Sequence, residues 1–288
     1  MRGKLLSSFG GLIIACFLST PLATEQLVRA LREGSLSADL WITRLGEPLR
    51  LAPLTPYWMA HRTLNLNTLA YESPEGLVFH NPAALGRYAL PPPRADWSQR
   101  SGILDGACQQ ASPLTAIQKR AIALLHEQAK PAASGMVWNY DYDTSYNDIV
   151  VKAPYPSAFA QAINIQALLF AYCKTKDRTH LDLAIKAGDA MLLRIEEGGV
   201  RNGDWFEEMP APRGLTPYIL NGHLYSVVVL YELAEVSGCA RFETAAKRGT
   251  AAFTNLINEF DTGYWTRYDL RPRSPAVYVE IPMGPRHN

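Results

Sequence analysis

The sequence has little of what would make its chemistry obvious. Four cysteines occur in 288 residues, and Cys108, Cys173 and Cys239 lie far apart without a Cys-x-x-Cys pair, so neither a zinc site nor a disulfide framework is implied. Cys173 and Cys239, inside apolar helical stretches, read as small core fillers. No sign of charge predominates: 28 basic residues stand against 27 acidic, a net charge of +1, and no whole-molecule field draws in nucleic acid. An anionic ligand must then be met by local arginines and lysines. No phosphate-cradling glycine loop or nucleotide fingerprint occurs, which points to chemistry without a cofactor. The run from Asp141 to Asp148 alternates oxygen-bearing residues. Tyr146, however, stands where a calcium loop needs glycine and Lys152 where it needs a bidentate glutamate, so no metal is expected there.

Long apolar runs are also scarce. The stretch from Phe9 to Leu18 is too short to span a bilayer comfortably. Preceded by Arg2 and Lys4, it has the pattern of an export signal over residues 1–23. Ile13-Ile14-Ala15-Cys16 resembles a lipobox that would leave Cys16 lipidated, and Ala23 offers an alternative cleavage site. The expected location is therefore outside the cytoplasm: periplasmic, extracellular or anchored to a membrane through the N-terminus.

What is present is a helical pattern. Residues 24–112 are rich in proline, including Pro91-Pro92-Pro93, and read as an irregular segment packing on the helical remainder of the chain. From residue 113 the spacing predicts helices, the first over Thr115 to Lys130, with Pro131 behind it. Laying the chain on itself places Pro156 on Pro217, an offset of 61 residues. The same offset puts Ala162–Tyr172 on His223–Leu233 and His180–Gly188 on Arg241–Gly249. Two helical hairpins, 157–196 and 217–259, should therefore pack as neighbours, in a solenoid or a toroid. Their return segments carry Trp205, Phe206, Glu207 and Glu208, then Tyr264, Trp265, Tyr268 and Arg271, the content of a cleft.

Trp205-Phe206-Glu207-Glu208-Met209-Pro210, Asn221-Gly222-His223-Leu224-Tyr225-Ser226, Leu230-Tyr231-Glu232-Leu233 and Phe260-Asp261-Thr262-Gly263, followed by Tyr268-Asp269-Leu270-Arg271, together resemble the C-terminal domain of heparosan glucuronyl C5-epimerases. Weaker echoes are His80-Asn81-Pro82 with Arg87-Tyr88-Ala89-Leu90, and Ser157 through Ala162. The resemblance implies a mainly α fold, an α/α toroid of repeated hairpins over residues 113–288. It also implies an isomerase that inverts carbon 5 of uronic acid residues in a polysaccharide without a cofactor or metal. Such a reaction needs two acid–base groups flanking the sugar and a cation to meet its carboxylate.

By the resemblance, Tyr268 and Glu208 take the acid–base roles and Arg271 the clamp, since a guanidinium binds a carboxylate through two parallel hydrogen bonds. A phenol serves as base only where a cation favours phenolate, so Arg271 is expected to act on Tyr268 as well. Glu207 and Glu208 should point in different directions, with one entering the cleft. Asn221, Tyr225, Trp205, Tyr140, Tyr142 and Gln161 are expected to bind substrate. The family has a tyrosine where this chain has Met209. It also continues past Tyr-Asp-Leu-Arg to a further tyrosine and a closing helix, where this chain runs through Tyr278 to Pro285-Arg286-His287-Asn288. A uronate lyase and a catalytically impaired glycan-binding member therefore stay open as alternatives, as do membrane anchoring and a homodimer.

Overall fold

The computed structural model describes residues 63–65, 68–72, 78–91, 113–146, 149–211, 215–263 and 266–270. The expected signal, Cys16, Cys108, Arg271 and Tyr278 lie outside them. Six helices occur among the described residues: α1 (Pro82–Ala89), α2 (Ala116–Gln128), α3 (Ala158–Thr175), α4 (Arg178–Met191), α5 (Leu220–Ser237) and α6 (Ala240–Phe260). They pack in pairs, α3 on α4 and α5 on α6 as hairpins and α1 against α2, with α3 lying between α1 and α5. The two hairpins related by the repeat are thus neighbours, and α1, from the proline-rich segment, packs on α2 and α3.

Local sequence explains these elements. Thr115 and Gln118 form a reciprocal capping box at α2, with Gln118 N–H donating to Thr115 Oγ1 at 3.2 Å and Thr115 N–H to Gln118 Oε1 at 2.9 Å. Asn81 caps α1 by accepting from Ala84 N–H, and Pro82 takes the first helical turn, where its missing N–H is harmless. Helices α3 and α5 are apolar around most of their circumference and are mostly buried, as expected of helices covered on several sides. Helices α4 and α6 alternate buried and exposed positions and flank them. Lys176 and Gly238 end α3 and α5 in left-handed conformation, allowing each tight reversal.

The stretch from 130 to 156, between the first expected helix and the first expected hairpin, is extended. Strands β4 (Lys130–Pro131) and β5 (Met136–Val137), β6 (Asn139–Tyr140) and β9 (Tyr155–Pro156), and β7 (Thr144–Tyr146) and β8 (Ile149–Val151) form three antiparallel pairs. Val, Ile, Thr and Tyr are common here, and such residues suit a pleated surface better than a helix. Upstream, β1 (Thr63–Asn65), β2 (Ala70–Glu72) and β3 (Val78–Phe79) make an antiparallel meander, and β10 (Arg201–Asn202) pairs with β11 (Trp205–Phe206) after α4. A correction concerns Cys173, which is disulfide-bonded rather than a plain core filler. Wide sequence spacing does not prevent two cysteines from meeting in space.

The repeat is visible in the packing. Gly188 and Gly249 occupy matching positions on α4 and α6, and each lets a neighbour approach closely. A Cβ on Gly188 would lie 2.4 Å from Leu233 Cδ2 and 2.8 Å from Phe242 Cε1, and one on Gly249 would lie 2.7 Å from Val227 Cγ2. Gly188→Ala should therefore destabilise by about 1–3 kcal/mol through overpacking, although alanine is the better helix former. Urea unfolding of the two proteins measures this, and an unchanged or raised midpoint would show that the α4–α5–α6 contact yields freely.

Candidate active site

The segment from Trp205 to Pro210 carries the site because it is tied to α3, α5 and α6 at once. Phe206 N–H donates to His223 Nδ1 at 3.0 Å, and His223 Nε2 lies 3.0 Å from the Gly249 carbonyl. The carbonyl needs a donor and Nδ1 already accepts, so the ring is neutral with its proton on Nε2. Burial pushes the His223 pKa down to about 3, opposed by the hydrogen bond to Gly249. Trp205 stacks on this imidazole with centroids 3.7 Å apart.

Glu207 and Glu208 follow on alternate sides. Glu207 is fully buried, with Asn202 Nδ2 donating to Oε1 at 3.3 Å and Tyr218 N–H to Oε2 at 3.2 Å. Tyr218 holds a φ of 54° to present that N–H, a conformation costly for a bulky residue and evidence of a constrained turn. Burial pushes the Glu207 carboxyl up to about 8, opposed by these hydrogen bonds.

Glu208 instead lies against the first turn of α5. A Cβ on Gly222 would sit 2.7 Å from Glu208 Cβ and 2.8 Å from its Oε2, so only glycine leaves room for the carboxyl. Oε2 is buried without a hydrogen-bond partner. Burial raises the Glu208 pKa to about 7, while the Arg87 guanidinium and an Asn221 hydrogen bond pull it back.

Tyrosines surround this carboxyl. Its charge acts on Tyr140, Tyr155 and Tyr268 and disfavours phenolate at each. Tyr140 and Tyr155 stack with centroids 5.3 Å apart, and Tyr142 meets Tyr140 edge-on at 5.5 Å. Tyr155 donates to Thr144 Oγ1 at 2.5 Å, and Tyr146 donates to the Asp269 carboxylate. Tyr268 is fixed through its backbone: Leu220 N–H donates to the Tyr268 carbonyl at 2.9 Å, and Leu270 N–H to the Pro217 carbonyl at 3.1 Å. Burial first, then Glu208 and Tyr146, lift the Tyr268 pKa well above the ordinary phenol value, against an Asn221 hydrogen bond. A protonated phenol results where phenolate was expected, and Arg271, expected to lower it, lies outside the described residues.

The expected residues divide accordingly. Glu208, Tyr268, Asn221, Tyr140 and Tyr142 come together. Tyr225 lies nearby, against Phe159 at 5.4 Å, with its hydroxyl donating to Gln166. Two do not fit a substrate-binding role. Trp205 is 1% exposed, sandwiched between His223 and Phe260, and presents no face to a sugar. Gln161 is fully buried, accepting from Trp138 N–H at 2.8 Å and donating to the Met136 carbonyl at 3.1 Å, so its amide is spent on holding β5 to α3.

Sequence reasoning missed Arg87, whose guanidinium sits 5.4 Å from the Phe159 centroid and favours the ionised forms of Glu208, Tyr140 and Tyr225. Its only signal was membership of the weaker motif ending at Leu90. Tyr155 and Tyr146 gave no signal either. No group of three or more His, Cys, Asp or Glu able to hold a metal occurs among the described residues, and no helix there is long and apolar enough to cross a membrane.

Residues 132–281 match the family model described as D-glucuronyl C5-epimerase C-terminus. Among curated proteins, the chain is 31% identical over 139 residues to a D-glucuronyl C5-epimerase of Caenorhabditis elegans, covering 43% of this chain and 22% of that protein. It is 26% identical over 143 residues to an uncharacterized protein of Methanocaldococcus jannaschii, covering 46% of this chain and 45% of that one. The chain thus spans less than half the length of either relative.

The buried imidazole makes a testable claim about pH. With a folded pKa of about 3 against an ordinary 6.5, His223 contributes its full stability above pH 6.5 and loses it as pH falls. The loss runs at about 1.4 kcal/mol per pH unit while only the unfolded state is protonated. Glu207, raised to about 8 from 4.5, acts oppositely between those values. The comparison must therefore be differential: the stability gap between the native protein and His223→Gln should narrow from pH 7 to pH 4. A gap constant across that range in denaturant titrations would mean that the ring is not held neutral.

Proposed function

The chain belongs to the D-glucuronyl C5-epimerase C-terminal family, and from that membership we propose that it inverts carbon 5 of uronic acid residues in a polysaccharide by proton removal and return. The observation that carries this reading is the Glu208 carboxyl, raised to about 7 and packed on Gly222 beside protonated Tyr268. A group with that pKa is ionised often enough to accept a proton near neutrality and basic enough to hold it. Tyr268 then serves as the proton donor on the other face. The Asn221 amide favours the ionised form of each. Arg87 supplies the cation that meets the sugar carboxylate as charge builds on it, a role that Arg271 shares.

The same reading makes the row of hairpins a sector of an incomplete α/α toroid over residues 113–288, to which α1 is added. It also places the chain outside the cytoplasm, where a disulfide such as that of Cys173 persists. The partner is a uronic-acid polymer.

Uptake of solvent deuterium at carbon 5, with polymer length unchanged, is the test. An ultraviolet-absorbing unsaturated end would mark a lyase instead, and binding without exchange would mark a glycan-binding protein. Glu208→Gln and Tyr268→Phe should each cut exchange by about 10²–10⁴-fold while leaving affinity nearly intact. The rate should rise with pH through about 7 as Glu208 ionises. Because Arg87 holds that pKa down, Arg87→Ala should move the rise to higher pH. A pH profile indifferent to both Glu208→Gln and Arg87→Ala would remove this carboxyl from the mechanism.

A further inference from the structure

We propose that the chain carries a second anion-binding site, separate from the tyrosine-lined one, that takes a carboxylate or sulfate group of an acidic saccharide. A cavity of about 350 Å³ opens between the end of α4, the β10–β11 hairpin and α6, with Arg194, Arg201 and Arg248 in its wall. That volume lies at the small end of ligand pockets, which run from roughly 300 to 1,000 Å³, and suits one compact polar unit.

The arginines are unequally engaged. Arg248 is held by Asp204 at 2.8 Å. The guanidiniums of Arg194 and Arg201 make no hydrogen bond or ion pair among the described residues, and Arg201 Nε is buried without a partner. Among the described residues of the wall these three cations stand beside two carboxylates, Glu196 and Asp204, so positive charge there is in excess. A buried guanidinium donor without an acceptor carries the desolvation cost of burial with no return. An oxyanion with two oxygens matches the fork of the guanidinium and relieves it.

The cavity also adjoins the reacting segment. Asn202 and Thr216 line it, and Asn202 Nδ2 donates both to Thr216 Oγ1 at 2.9 Å and to Glu207 Oε1 at 3.3 Å. Glu207 thus meets the cavity wall while the adjacent Glu208 meets the tyrosines. The assignment of an anion rests on the arginines alone; its source, an anionic unit of the same polymer, rests on the proposed function.

Two measurements separate these. Millimolar inorganic sulfate should raise the melting temperature of the native protein, and the rise should disappear in Arg194→Gln/Arg201→Gln. Arg201→Lys, which keeps the charge, should retain part of it. Should the double variant fail to fold, Arg194→Gln alone, at an exposed position, carries the test. An equal rise in native protein and variant would mean an adventitious ion only and overturn the site. With a glucuronate oligosaccharide, the double variant should show about a tenfold higher KM for deuterium uptake at unchanged kcat. An unchanged KM together with a lost sulfate response would overturn the saccharide as the source. A sulfate response in a protein that exchanges no deuterium would count against the epimerase reading while supporting the anion site.

Discussion

A neutral imidazole threaded between the Phe206 amide and the Gly249 carbonyl is the contact on which the other features rest. It joins β11 to α6 through a side chain of α5, in a region where either backbone group left alone would be buried and unsatisfied. The Trp205 indole lies flat on one side of the ring and closes it off from solvent. The next residue continues the anchoring: the Glu207 carbonyl accepts from Ala158 N–H at 3.0 Å at the start of α3, and Glu207 N–H donates to the Val200 carbonyl at 2.8 Å. Glu208 is therefore delivered to α5 on a strand whose preceding residues are all fixed. Gly222 then sets how near the carboxyl can come.

This anchoring explains how two adjacent glutamates have unlike tasks. Glu207 has its two oxygens occupied by Asn202 and Tyr218, whereas Glu208 Oε2 is buried with no hydrogen bond. Burial raises the Glu207 pKa first, and the Glu208 charge adds to the rise. Arg87, extending from α1 over Phe159, favours the ionised form of Glu208.

Much of the fold could be read from the residues, because helical periodicity and a 61-residue self-similarity are both local statements about one strip of chain. Thr115 with Gln118, and Lys176 and Gly238 at the reversals, obey local rules of capping. The extended stretch before α3 escaped detection because its strands are two or three residues long and offer no alternation to count. In the site, Glu208, Tyr268 and Asn221 were legible through ordered motifs. Trp205 and Gln161 belong to those motifs as well, yet they support the fold. Nothing in a motif separates a residue that touches ligand from one that props up its neighbour. Arg87 lies far upstream of Glu208 in the chain, and only the packing of α1 on α3 brings it within reach.

The hairpin arrangement bears on how the chain acquires its shape. The α3–α4 and α5–α6 hairpins each pair helices joined by a short reversal, and such contacts form quickly because little loop entropy is lost in closing them. During synthesis α3 with α4, and α5 with α6, can each collapse soon after emerging. The ties that finish the site are of another kind. Ala158 to Glu207 and Leu220 to Tyr268 span long stretches of chain, and the latter cannot form until residue 268 has been made. Assembly of the helical frame therefore precedes closure of the tyrosine cluster, and the surroundings of Glu208 are the last part of the nascent protein to be completed.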